Sequence, residues 1–117
     1  MLEAIHQVST TQPGGYRDVA PSDVSRLGFP GRIIDVREPH EFTGELGHMP
    51  RAELVPLGTI DQAAKTWDRS QPLLMVCRSG GRSGRAAQLL ASMGFRTVYN
   101  MAGGMLAYGA AGHPTER

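Results

Sequence analysis

The sequence predicts an α/β domain with a central, mostly parallel β-sheet of about five strands and helices on both faces. Three observations predict it. Short β-branched or apolar runs alternate with helical stretches along the chain, the pattern that gives a parallel sheet covered by helices. One run, Pro72-Leu73-Leu74-Met75-Val76, is apolar on both faces, as a strand sandwiched between helix layers must be. A length of 117 residues, 40% of them hydrophobic and 20% charged, supplies one core but not two.

In chain order, residues 1–15 carry Ser-Thr-Thr-Gln-Pro-Gly-Gly and scattered apolar residues, which predicts a flexible N-terminal arm without the basic start and apolar run of a signal peptide. The single domain is expected over 16–112, with 113–117 as a C-terminal tail. Ser22 is the candidate N-cap of a short helix that Gly28 and Pro30 stop. Arg32-Ile33-Ile34-Asp35-Val36 is β-branched and reads as a buried strand. Glu38 to Phe42 suits a short helix, and a glycine-rich loop follows through Pro50. Glu53-Leu54-Val55 fits a second short strand and Thr59 to Trp67 another helix. After the strand at 72–76, a helix from about Ser83 to Met93 has Ala86, Ala87, Leu89, Leu90 and Met93 on one side, with Gly94 placed to cap it. Arg96 to Asn100 makes the last strand, and Gly103-Gly104 leads into a terminal helix.

Twelve basic residues against eleven acidic give a net charge of +1, which offers neither nucleic acid nor a membrane surface a bulk electrostatic attraction. The longest apolar stretch, Leu73 to Cys77, is far too short to span a bilayer, and a cytoplasmic location is expected. Cys77 is the one cysteine, so no internal disulfide and no cysteine-rich zinc site can form. His6, His40, His48 and His113 lie apart without ligand spacing. No metal or other cofactor is expected. His48 is the best-placed histidine for a base, but a glycine-flanked histidine reads rather as a loop-structuring residue.

The chemistry concentrates at Cys77, directly after the central strand, where open α/β sheets gather their ligands. The following Arg78-Ser79-Gly80-Gly81-Arg82-Ser83 leads into a helix. Gly80 and Gly81 permit backbone angles that turn successive N–H groups inward as an anion-binding nest. The helix N-terminus adds unpaired N–H groups. Arg78, Arg82 and Arg85 place three cations within eight residues of the sulfur. All of these favour thiolate over thiol. A buried cysteine is otherwise a small hydrophobe, but this setting points to a nucleophile. No Gly-x-x-x-x-Gly-Lys-Ser/Thr is present, which excludes a P-loop.

Four blocks in this order resemble the single-domain rhodanese-like sulfurtransferases, over roughly Val19 to Gly109. They are Ile33-Ile34-Asp35-Val36-Arg37-Glu38-Pro39-His40-Glu41-Phe42, Gly47-His48-Met49-Pro50-Arg51-Ala52 with Val55-Pro56-Leu57, the loop from Cys77 to Ser83, and Ala102-Gly103-Gly104. Arg51 departs from the usual glycine, Glu53 from an apolar residue and Tyr108 from a frequent tryptophan. A rhodanese-like fold is therefore expected, and the resemblance implies a thiosulfate sulfurtransferase. Cys77 would take a sulfane sulfur from thiosulfate or a persulfide donor as a persulfide and pass it to a thiol, cyanide or protein acceptor. Arg78 to Ser83 would line the substrate loop, with Arg78 first in contact with the anionic donor. Asp35 and Arg37 would brace that loop.

Two alternatives remain. One is a sulfur-carrier or partner-binding module with incidental thiosulfate activity. The other is the chemistry of the phosphatases and arsenate reductases that share the fold. Those resemble Cys-x-x-x-x-x-Arg, one residue longer than the spacing from Cys77 to Arg82, so the shorter cradle suits a single sulfur better than a tetrahedral oxyanion.

Overall fold

The computed structural model describes residues 2–117. Six strands form one sheet: β1 (Thr10–Gln12), β2 (Tyr16–Val19), β3 (Arg32–Asp35), β4 (Ala52–Leu54), β5 (Leu73–Val76) and β6 (Val98–Met101), in the spatial order β1-β2-β6-β5-β3-β4. β1 pairs antiparallel with β2, and every other neighbouring pair is parallel. The helices are α1 (Leu2–Val8), α2 (Pro21–Leu27), α3 (Pro39–Phe42), α4 (Ile60–Ala63), α5 (Gly81–Ser92) and α6 (Gly104–Ala110).

The two-residue period of the strands sorts side chains onto the two faces of the sheet, each packed under its own helices. Ile33, Leu74, Val76, Tyr99 and Met101 face Ile5 of α1, Val24 of α2 and Met105 and Tyr108 of α6. Ile34, Leu73, Met75 and Val98 face Ile60 of α4 and Ala86, Ala87 and Leu90 of α5. All four residues of β5 are fully buried, because it lies in mid-sheet with helices on both sides. Its carboxyl end delivers Cys77 to the middle of the edge where the parallel strands finish. Among the described residues no helix is long and apolar enough to cross a membrane.

Several expectations need correction. Residues 2–15 are not a flexible arm. Leu2–Val8 is helical with Ile5 fully buried, and Thr10–Gln12 is the sixth strand. The scattered apolar residues, spaced for one helix turn, anchor α1, while Gly14 and Gly15, both at positive φ, make the hairpin turn into β2. The tail at 113–117 is also attached: His48 and Glu116 exchange backbone hydrogen bonds, and the Tyr108 hydroxyl donates to Pro114 O at 2.7 Å. Helix α2 is capped by Ala20 rather than Ser22, since Pro21 has the fixed φ and missing N–H that suit the first helical position. In place of one helix from Thr59 to Trp67, a single α-turn, Ile60–Ala63, lies between 3-10 turns at Leu57–Thr59 and Ala64–Thr66. Gly94, at φ +98°, does terminate α5.

Arg51 takes a left-handed φ of +70°, the only described non-glycine residue to do so. Its guanidinium donates to Phe29 O and Gly31 O at 3.0 and 2.8 Å, which offsets the backbone strain that a glycine would avoid.

Candidate active site

Cys77 Sγ is buried and receives two hydrogen bonds: the Gly80 amide donates at 3.1 Å and the Ser83 hydroxyl at 3.2 Å. Gly80 is in the left-handed conformation at φ +100° and caps α5, which turns its N–H back toward the sulfur. Helix α5 starts at Gly81, two residues before the expected Ser83, so Ser83 sits in the first turn with its hydroxyl aimed at the sulfur. Burial pushes the thiol up, but the Ser83 hydroxyl and the amides of Ser83, Gly80 and Ser79 outweigh it, and Cys77 lies below the ordinary cysteine range.

The outer side of the loop is held by α6. The amides of Met105 and Leu106 donate to the carbonyls of Cys77 and Arg78, both at 2.9 Å. This turns those carbonyls away from the sulfur. The approach is close enough that a Cβ on Gly104, at φ +58°, would lie 2.5 Å from the Arg78 carbonyl carbon and 2.6 Å from the Cys77 oxygen. Only glycine fits there, which explains the Gly103-Gly104 pair.

The three arginines differ in role. Arg78 is exposed and, among the described residues, has no ion-pair partner. It lines a groove of about 340 Å³ together with Glu41, His40, Leu46 and Leu106. Arg82, expected to line the substrate loop, is matched by Glu41 of α3 through two 2.8 Å hydrogen bonds. Its charge is therefore spent on holding α3 against the loop. Arg85 and Ser79 are exposed, and Gly81 is exposed at the helix start.

Asp35 and Arg37 make no hydrogen bond to the loop, although Arg37 lines the same groove as Arg78. The strand alternation puts Ile34 and Val36 in the core with Cys77, and Asp35 and Arg37 turn the other way. They form a fully buried pair: Arg37 Nε and Nη2 donate to the Asp35 carboxylate at 2.9 and 2.8 Å, with further bonds to Gly47 O at 2.7 Å and Glu41 O at 3.3 Å. What they brace is the segment from α3 to Gly47, and only through Glu41 does this reach Arg82.

Two site residues escape the sequence reasoning: Glu41 and Asn100. Asn100 of β6 is buried beside Ser83, whose hydroxyl also reaches its Oδ1. His48 does organise its loop. It stacks on Phe42 at 3.6 Å, and its Nδ1 lies 2.7 Å from Phe42 O.

The Arg82 hydrogen bonds bring the Glu41 carboxyl down to about 2 from 4.5; burial opposes this, and the Glu38 amide and the Arg82 and Arg37 charges add to it. A carboxylate depressed on folding stabilises above its unfolded value and loses that stabilisation as pH falls from about 4.5 toward 2. Glu41→Gln is expected to flatten acid destabilisation in that window and to lower stability at neutral pH by about 1 kcal/mol, given partial solvent screening. Urea denaturation at a series of pH values measures both.

Residues 21–111 match the family described as Rhodanese-like domain. The uncharacterized protein YqhL of Bacillus subtilis is 40% identical over 85 residues, covering 72% of this chain and 66% of its own length. The thiosulfate sulfurtransferase GlpE of Pseudoalteromonas translucida is 35% identical over 79 residues, 68% of this chain and 73% of that protein. The putative sulfur carrier protein YrkF of Bacillus subtilis is 36% identical over 73 residues, 62% of this chain but 38% of its own length. The chain thus spans two thirds or less of several curated relatives it matches. A crystal structure of a rhodanese-related protein from Thermoplasma volcanium superposes with a TM-score of 0.76 at 24% identity, covering 85% of this chain and 96% of that one, and shares the fold.

Proposed function

We propose that this chain, which belongs to the rhodanese-like domain family, is a sulfurtransferase that carries a sulfane sulfur on Cys77, with thiosulfate or a persulfide as donor. The observation that supports this reading best is the buried sulfur facing the Gly80 amide and the Ser83 hydroxyl at the head of α5, followed in the loop by Arg78, an exposed cation without an ion-pair partner among the described residues. The resulting thiolate attacks the outer sulfur of thiosulfate. The sulfur–sulfur bond of the donor breaks, its electron pair leaves with sulfite, and Cys77 becomes a persulfide. Amides lining the loop are suited to the negative terminal sulfur, as oxyanion-hole donors are to an oxyanion. A thiol, cyanide or protein nucleophile then attacks that terminal sulfur and the thiolate returns.

Steady-state turnover of thiosulfate with cyanide or a small thiol tests this. Double displacement predicts parallel lines in double-reciprocal plots as the acceptor is varied. Intersecting lines, or no turnover with any sulfane donor, would count against it. In the same assay Arg78→Ala is expected to raise KM for thiosulfate roughly five-fold, the scale of one exposed charge contact, and to leave thermal stability unchanged. Unaltered thiosulfate kinetics would remove Arg78 from donor binding.

The name of the relative YrkF favours a second reading, in which the sulfur comes from and goes to partner proteins and free thiosulfate is incidental. Slow turnover of small donors beside rapid loading from a protein persulfide would select it. The loop spacing from Cys77 to Arg82, together with the engagement of Arg82 by Glu41, speaks against phosphoryl chemistry.

A further inference from the structure

Behind the cysteine loop lies a buried polar network that the proposed reaction does not use directly. Asn100 pairs in register with Met75 of β5, and the strand period puts its side chain on the same face as Cys77, two residues farther along. Its Nδ2 donates to Asp18 Oδ1 at 3.0 Å and to Gly80 O at 3.2 Å. The Gly80 carbonyl can only accept, so the orientation of the amide is fixed and its Oδ1 faces Ser83. Ser83 is fully buried, and its hydroxyl, with one proton to give, lies 2.5 Å from Asn100 Oδ1 and 3.2 Å from Cys77 Sγ.

We infer that Asn100 is a positioning residue that competes with the Cys77 sulfur for the single proton of Ser83. The inference rests on Cys77 being the nucleophile of the proposed function. With Cys77 as a thiol, S–H donates to Ser83 Oγ and the hydroxyl donates to Asn100. When the thiol proton leaves to solvent, the hydroxyl turns to the sulfur and Asn100 Oδ1 gives up its donor. The thiolate therefore gains Ser83 only at the expense of Asn100. This keeps the sulfur more basic than its two donors alone would make it, and so more nucleophilic, since thiolate reactivity falls as basicity falls. Once sulfur is loaded, the charge moves to the terminal atom, Sγ becomes a poor acceptor, and the Ser83 proton returns to Asn100.

The other charged and titratable groups around the network are Arg78 and Arg82 on the loop, Glu41 paired with Arg82, the Asp35–Arg37 pair at the end of β3, and Asp18 and Tyr16 on β2. None of them donates to Sγ or to Ser83. That leaves the contested hydroxyl as the direct link from Asn100 to the sulfur.

The rate of iodoacetamide alkylation of Cys77, the only thiol, measured against pH, tests the inference. Asn100→Ala and Asn100→Val are both expected to move the midpoint to lower pH, raising the thiolate-to-thiol ratio at a given pH roughly five-fold, the equilibrium worth of one hydrogen bond. Ser83→Ala should move it upward, and Asn100→Ala added to Ser83→Ala should bring no further downward shift. An unchanged or raised midpoint in the Asn100 variants overturns the inference. So does an equal downward shift in the Ser83→Ala background, which would route the effect through Gly80 or Asp18. Valine, a strand former without the amide, carries the test where alanine disturbs β6. Because alkylation needs no sulfur donor, a protein that fails to transfer sulfur still gives a readable result.

Discussion

After incubation with thiosulfate, the wild-type chain is expected to gain the mass of one sulfur atom in intact-mass spectrometry, and Cys77→Ser none. The effect is all-or-none because the sequence has no other thiol to accept the sulfur. Serine retains the size and the hydrogen-bond capacity, and α5, the Gly80 turn and the α6 contacts do not depend on the sulfur, so the variant should fold. A gain in mass by Cys77→Ser, or an unmodified wild type across several sulfane donors, would defeat the proposed chemistry. Cyanide added after loading should return the mass to its starting value, since the loaded sulfur is terminal and open to a nucleophile.

The largest effect on stability is expected at Asp35. Arg37 is 1% exposed and directs three of its hydrogen bonds at the Asp35 carboxylate. Asp35→Ala leaves a buried guanidinium with two carbonyls and no counter-charge, a change that costs about 3–5 kcal/mol. That is a large share of the total stability of a domain this size, about 5–15 kcal/mol. Chemical denaturation should show a large drop in midpoint. A loss below about 1 kcal/mol, as expected for an exposed ion pair, would mean that water reaches Arg37. Combining Asp35→Leu with Arg37→Met should cost less than the sum of the single changes, because the double variant buries no unpaired charge.

These two sites also mark what the sequence makes legible. The fold class follows from local signals: the apolar run at 73–76, the glycines that end helices and start turns, and the helical spacing from Ala86 to Leu90. The cysteine loop is equally plain, since every part of it is contiguous. What stays hidden is set by partners far apart in the chain. Glu41 looks like an ordinary acidic residue on a short helix until folding brings Arg82, 41 positions away, against it. Asn100 looks like the polar end of a strand, yet counting two residues from Val98 puts it on the face that carries Cys77. The same count puts the Asp35 and Arg37 side chains on the face opposite Cys77. Helix α1 was hidden for another reason. Seven residues have no helical stability of their own, and packing of Ile5 and Leu2 onto the core holds them in place.

The contact of α6 with the cysteine loop bears on when the protein becomes reactive. During synthesis Cys77, β5 and the sequence of α5 leave the ribosome well before Gly103 to Leu106. Until those residues arrive, nothing turns the carbonyls of Cys77 and Arg78 outward, and β6, with Asn100, has no place in the sheet. The α6 hydrogen bonds to the Cys77 and Arg78 carbonyls and the Asn100 contact of Ser83 therefore need residues 100–106, which follow the cysteine loop and α5 in the chain.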